Sequence, residues 1–282
     1  MPLPPIQPIG VGTAVAHPRQ AWQATLSNWL VAPGATNPPV IFEPPPGLTN
    51  GVNEAWIAAS GGANWGGCQV WVSLDGSTYG LAGTIYRGCV TGVATAPFPA
   101  HPSPDTGDTL SLDLTQSGGQ LLSGTLADAE NLLTLCWLDG ELIAYETATL
   151  TAPYRYDLGT TIIRGAYGTP ITGHAAGAAF ARLNGSVFKY PFPSNLVPQT
   201  FYVKLPAFNI FGQALQDIAG VAAYTYTTTG AGTNPLANPL LAALAAGGAQ
   251  DWGIAGTTTI AAADLAPVSI AASLDIVLGT LS

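Results

Sequence analysis

Glycine and proline set the first limit on this chain. Its 34 glycines and 24 prolines fall between short apolar runs rather than in one tract. Proline removes a backbone donor and glycine supplies positive φ, so runs bounded this way read as short strands joined by turns. The expected fold is mainly β: small antiparallel sandwich or barrel-like modules, with helix minor.

Two hairpins can be read directly. "CQVWVSL", "DGS" and "TYGLAGTIY" place a turn at Asp75-Gly76, and "LLTLCWL", "DG" and "ELIAYETATL" repeat the device at Asp139-Gly140. In "TLSLDLT", Leu110, Leu112 and Leu114 alternate with Ser111, Asp113 and Thr115, so the leucines face inward. Alternation in the second hairpin puts Glu141, Ile143, Tyr145 and Thr147 on one face and Leu142, Ala144, Glu146 and Ala148 on the other. "GQLLSGTLADAENLL" has room for one helical turn.

Four segments follow. Residues 1–50 read as an extended Pro-rich arm, with a short amphipathic helix at 19–30. Residues 51–185 form the β-rich centre. Residues 186–230 form a second small β module, fibronectin III-like or its remnant. Residues 231–282 are an Ala/Gly/Thr-rich linker and tail with at most one short helix, at 239–246. That tail cannot make a core alone and suits strand addition to a neighbouring chain or winding with copies of itself.

Charged residues make up only 8% of the chain, against a usual share of about 25%. Such a surface is expected to be covered by partners. A net charge of −9 with seven basic residues leaves nothing from which to build a nucleic-acid groove. No purely apolar run is long enough for a transmembrane helix, and the amino terminus lacks the pattern of a secretory signal. Cys68, Cys89 and Cys136 are odd in number and form no CxxC pair, so buried free thiols are expected rather than disulfides or zinc ligands.

No cofactor motif is found, and no catalytic or metal-ligating set emerges. His17, His101 and His174 lie in loops without a nucleophile motif. Asp105, Asp108, Asp113, Glu141 and Glu146 offer carboxylates for glycoside hydrolysis, and "PDTGDTLSLD" has a loose likeness to a calcium loop. A solvated loop and strand face is the better account of them. In "TTIIRGAYGT", Arg164 sits between a β-branched run and Gly165 and Gly168. It reads as a corner clamp onto carbonyls or a carboxylate such as Glu141 or Glu146, with a ligand-binding arginine as the alternative. Trp22, Trp29, Trp56, Trp65 and Trp252 lie in or beside Gly/Ala/Pro segments and are the candidate interface anchors.

Taken in order, "WGGCQVWVSLDGSTYGLAGTIY", "DTGDTLSLDLT", "NLLTLCWLDGELIAYETATL", "YRYDLGTTIIRGAYGTPITGH" and "YVKLPAFNIFG" resemble the C-terminal part of baseplate hub and tail-tip proteins of long-tailed bacteriophages and gene transfer agents. The resemblance spans roughly residues 65–229. It implies a non-enzymatic virion component at the tail tip or baseplate. The implied partners are other tail proteins and further copies of itself, a trimer being favoured. A receptor-binding protein that recognises a host surface glycan or pilus is the other reading.

Overall fold

The computed structural model describes residues 28–232. Trp22, Trp252, most of the 19–30 helix, the 239–246 helix and the proposed tail strands lie outside the described residues.

The last part of the stretch read as an extended arm holds regular structure. Residues Val40–Phe42 form strand β1, and Pro46–Thr49 form a single helical turn, α1. Prolines flank this strand rather than interrupt it: Pro39 precedes it and Pro44 follows Glu43. The ladder therefore survives, and β1 pairs with β2, Glu54–Ala58. Next come β3, Trp65–Ser73, and β4, Gly80–Ile85, which form the first expected hairpin. Gly76 takes φ 71° in its turn, and Asp75 Oδ1 accepts the amides of Ser77 and Thr78.

The chain then builds a closed antiparallel barrel. Its strands are β5 (Thr91–Ala94), β6 (Leu110–Asp113), β7 (Leu135–Leu138), β8 (Glu141–Ala152), β9 (Arg155–Ile163) and β10 (Ala179–Arg182). The order around the barrel is β10-β5-β6-β9-β8-β7, and β10 closes it onto β7. Between β6 and β7, helix α2 (Leu126–Glu130) starts at a capping box in which Thr125 and Asp128 satisfy each other's amides. Asp139 and Gly140 take φ 38° and 98°, the doubly positive pair that a two-residue hairpin turn requires.

Leu110, Leu112 and Leu114 point into the barrel with Cys136, Leu138, Ile143, Tyr145, Leu158, Ile162 and Phe180. Strand β8 departs from simple alternation in its first half, where both faces are buried. Ile143 and Tyr145 fill the barrel, while Leu142 packs outside against Leu135 and Ala166.

After the barrel the chain returns to the sandwich with β11 (Phe188–Pro191), β12 (Thr200–Lys204), β13 (Ala207–Asn209) and β14 (Ala223–Thr227). Strand β11 joins β2 in a three-stranded sheet. Strands β12 and β13 both pair with β3, and β14 pairs with β12. Ile57, Val70, Val72, Phe201, Val203 and Leu205 share the core between the two sheets. The strand pairing thus cuts across the expected division at 185/186. Residues 54–85 belong with 188–227, and the barrel lies between them in sequence. The reason is that β3 needs neighbours on both edges, and its second neighbour comes from the far end of the chain.

The two units share a small seam. Ala58, Cys89 and Ala181 pack together, and the Phe42 ring stacks on Trp137 at 4.1 Å and 15°. All three cysteines are buried free thiols, and burial pushes each of them up to about 12. None of the helices among the described residues is long and apolar enough to cross a membrane.

Candidate functional site

Arg164 leaves the end of β9 and turns into the barrel mouth, 3% exposed. Glu141 enters from the start of β8, just after the Asp139-Gly140 turn, and is fully buried. The two meet fork to fork: Nε donates to Oε1 at 2.7 Å and Nη2 to Oε2 at 2.8 Å. Nη1 donates to the Pro99 carbonyl at 2.9 Å and reaches Asp105 Oδ2 at 3.4 Å, and Nη2 also reaches the Thr172 carbonyl at 2.9 Å. The Phe98 ring lies 4.3 Å from the guanidinium carbon and covers it. Arg164 therefore clamps four segments of chain, at 98–99, 105, 141 and 172, to the end of β9.

Glu141 is equally engaged. Besides Arg164, its oxygens accept the amide of Gly165 at 3.0 Å and meet His174 Nε2 at 2.9 Å. Asp105 Oδ1 accepts the amides of Gly107 and Asp108. Gly165 and Gly168 take φ 60° and 77° in the corner that follows, and Thr169 Oγ1 ties this corner back to the Leu142 amide at 2.9 Å. Glu141 and Asp105 are both fully buried, with their oxygens on partners within the chain. The calcium-like loop spends Asp105 here, while Asp113 pairs with Arg155 at 2.9 Å. Among the described residues no group of three or more His, Cys, Asp or Glu is arranged to hold a metal.

Burial raises the Glu141 carboxyl pKa. The hydrogen bonds and charge of Arg164, the His174 contact and the Gly165 amide outweigh that and hold it at about 2, against an ordinary 4.5. A folded value below the unfolded one contributes stability that is complete above pH 4.5 and disappears as the pH falls toward 2. Acid titration followed by tryptophan fluorescence should therefore show stability falling in that window. The Glu141→Gln variant should be flatter there. Identical profiles would mean that another group governs acid unfolding.

Beside this corner lies an open, mainly apolar cleft of about 560 Å³. Pro45, Pro46 and Gly47, Trp137, Tyr167 and Pro170, and Tyr226 with Thr229 and Ala231 line it. Glu43 sits at its edge, 5% exposed, and accepts three successive amides: Thr229 at 2.6 Å, Gly230 at 2.7 Å and Ala231 at 3.0 Å. No local pattern marks Glu43, because its partners lie 186 to 188 residues away. The nearest signal is a single acid stranded in "IFEPPPG".

The candidate tryptophans divide. Trp65 is buried in the sandwich, with its indole N–H on Thr36 Oγ1 at 3.0 Å. Trp56 is buried as well, hydrogen-bonded to Glu54 and covered by Lys189. Both spend their surface inside the chain because their strands have distant sheet partners. Trp29 is exposed at the surface, with its ring 5.1 Å from Phe211.

Against known proteins, residues 89–181 match the family described as Rcc01698-like, C-terminal. That stretch runs from just before β5 to within one residue of the end of β10, so the match and the closed barrel nearly coincide. It contains Asp105, Glu141, Arg164 and His174. No curated protein matches the chain.

Proposed function

We propose that this chain is a non-enzymatic structural component of a tail tip or baseplate of a long-tailed bacteriophage or related particle. It assembles around the tail axis as a trimer and connects hub, neighbouring subunits and fibre or receptor-binding proteins. The ordered motifs of residues 65–229 motivate the assignment. The observation that carries the assembly role is the open edge of β4. Among the described residues this strand pairs on one side only, with β3, and Gly80–Ile85 contains neither a charge nor a proline. Leu74, Leu81 and Tyr86 are exposed along and beside it. Edges that must stay solitary are usually blunted by charge or proline, so this one suits strand addition by a partner.

The exposed Trp29, set against the half-buried Phe211, favours one second reading, a receptor-binding protein whose aromatics stack on a host glycan. Immunogold electron microscopy with antibody to residues 186–232 separates the two. The particles would be those made by the genome that encodes the chain. Label at the tail end supports the structural role. Blank intact and disrupted particles, with binding of the purified protein to host cells, support the second.

Truncation after Gly232 keeps the Glu43 clasp and both cores. It should leave the central domains folded and block incorporation into particles. Particles carrying the truncated chain at normal level would overturn the assembly role of the tail.

A further inference from the structure

We propose that the aromatic cleft is the seat of residues 234–241 of the same chain, "NPLANPLL". The described chain leads there. Thr229 and Ala231 line the cleft, Glu43 fixes their amides, and Thr49 Oγ1 donates to the Gly232 carbonyl at 3.1 Å. The described chain therefore ends beside the cleft, at Gly232. Nine further residues reach up to roughly 30 Å, and a short tether holds its segment at an effective concentration of about millimolar.

The chemistry of the two surfaces matches. Trp137, Tyr167 and Tyr226 with Pro45, Pro46 and Pro170 make an aromatic and proline-lined wall. The one charged side chain in that lining, Glu43, already has its oxygens on three amides. Residues 234–241 carry no charge, and Pro235 and Pro239 stand four apart, each followed by leucine. Proline restricts its own backbone before binding, which lowers the entropy lost on docking, and aromatic grooves take such segments.

Tyr167 gives an independent sign. It is 44% exposed and takes φ 56°, a left-handed conformation unfavourable for a bulky residue. Its ring lies over Gly47, where an added Cβ would come within 2.6 Å. The corner thus holds an aromatic ring up as a wall of the cleft.

Hydrogen exchange on the full chain tests this. In Leu236→Asp/Leu240→Asp, peptides covering 45–49 and 165–170 should lose protection severalfold relative to the unaltered protein, while barrel-core peptides stay unchanged. Unchanged protection at both cleft peptides would overturn the proposal. In a second experiment, a benzophenone amino acid replaces Tyr167 and crosslinks are mapped by mass spectrometry. Crosslinks within one chain to 234–241, at a yield independent of protein concentration, support the assignment. Crosslinks that form only between chains, or that miss 234–241, overturn it.

Discussion

Replacing Arg164 with methionine should lower the unfolding free energy by about 3–5 kcal/mol, the usual cost of removing one partner from a buried pair. For a folded unit of this size that is roughly 6–20 °C in melting temperature. Methionine fills similar space, so packing changes little. What changes is that Glu141 and Asp105 remain buried after losing their cation, with Glu141 keeping only amide and imidazole contacts. Arg164→Lys should recover only part of the loss, because an ammonium cannot span both Glu141 oxygens and the Pro99 and Thr172 carbonyls together. Arg155 supplies the contrast. Its pair with Asp113 is partly exposed, and Arg155→Ala should cost at most about 1 kcal/mol. Thermal and denaturant unfolding of the three variants checks the ranking. Equal effects at Arg164 and Arg155 would show that the corner is not a clamp.

Phe180→Ala in the barrel and Phe201→Ala in the sandwich should each cost about 3–5 kcal/mol. Each ring is almost fully buried, Phe180 in the barrel cluster and Phe201 in the sandwich cluster. The informative result is the shape of the transition. Phe42 stacks on Trp137 across the seam, and Ala58, Cys89 and Ala181 pack there. With this shared packing, both substitutions should lower one common calorimetric transition. A Phe180→Ala protein that unfolds in two steps, with the sandwich melting at its original temperature, would show that the seam does not couple the units.

Local features were legible in the residues. The Asp139-Gly140 turn has one geometry that fits strands on both sides, and the alternating leucines of β6 have one inward face. The arginine corner was legible for the same reason: an arginine in an uncharged β-rich stretch needs a carboxylate, and Glu141 was one of two within reach. Features made by distant pairing were not. Trp56 and Trp65 look like exposed anchors until β11, β12 and β13 arrive from the far end of the chain. His174 and Asp105 join the Arg164 cluster only because the barrel closes. Glu43 is silent in sequence, since a carboxylate that binds main-chain amides leaves no residue signature at its partner positions.

The placement of the barrel between the two halves of the sandwich has a consequence for synthesis. Every barrel strand lies between Thr91 and Arg182, so the barrel can close once that stretch has left the ribosome. The β3–β12 ladder joins Trp71 to Lys204, and the last sandwich strand ends at Thr227. Contacts that close long loops form late. The barrel is therefore the earliest unit able to become native during translation. Once closed, it brings the chain on either side of it together: the Arg182 amide bonds to the Val90 carbonyl, and Cys89 Sγ lies 3.1 Å from the Arg182 carbonyl. The barrel thus sits in its host as an insertion whose entry and exit meet at one point, as the two ends of a cassette do.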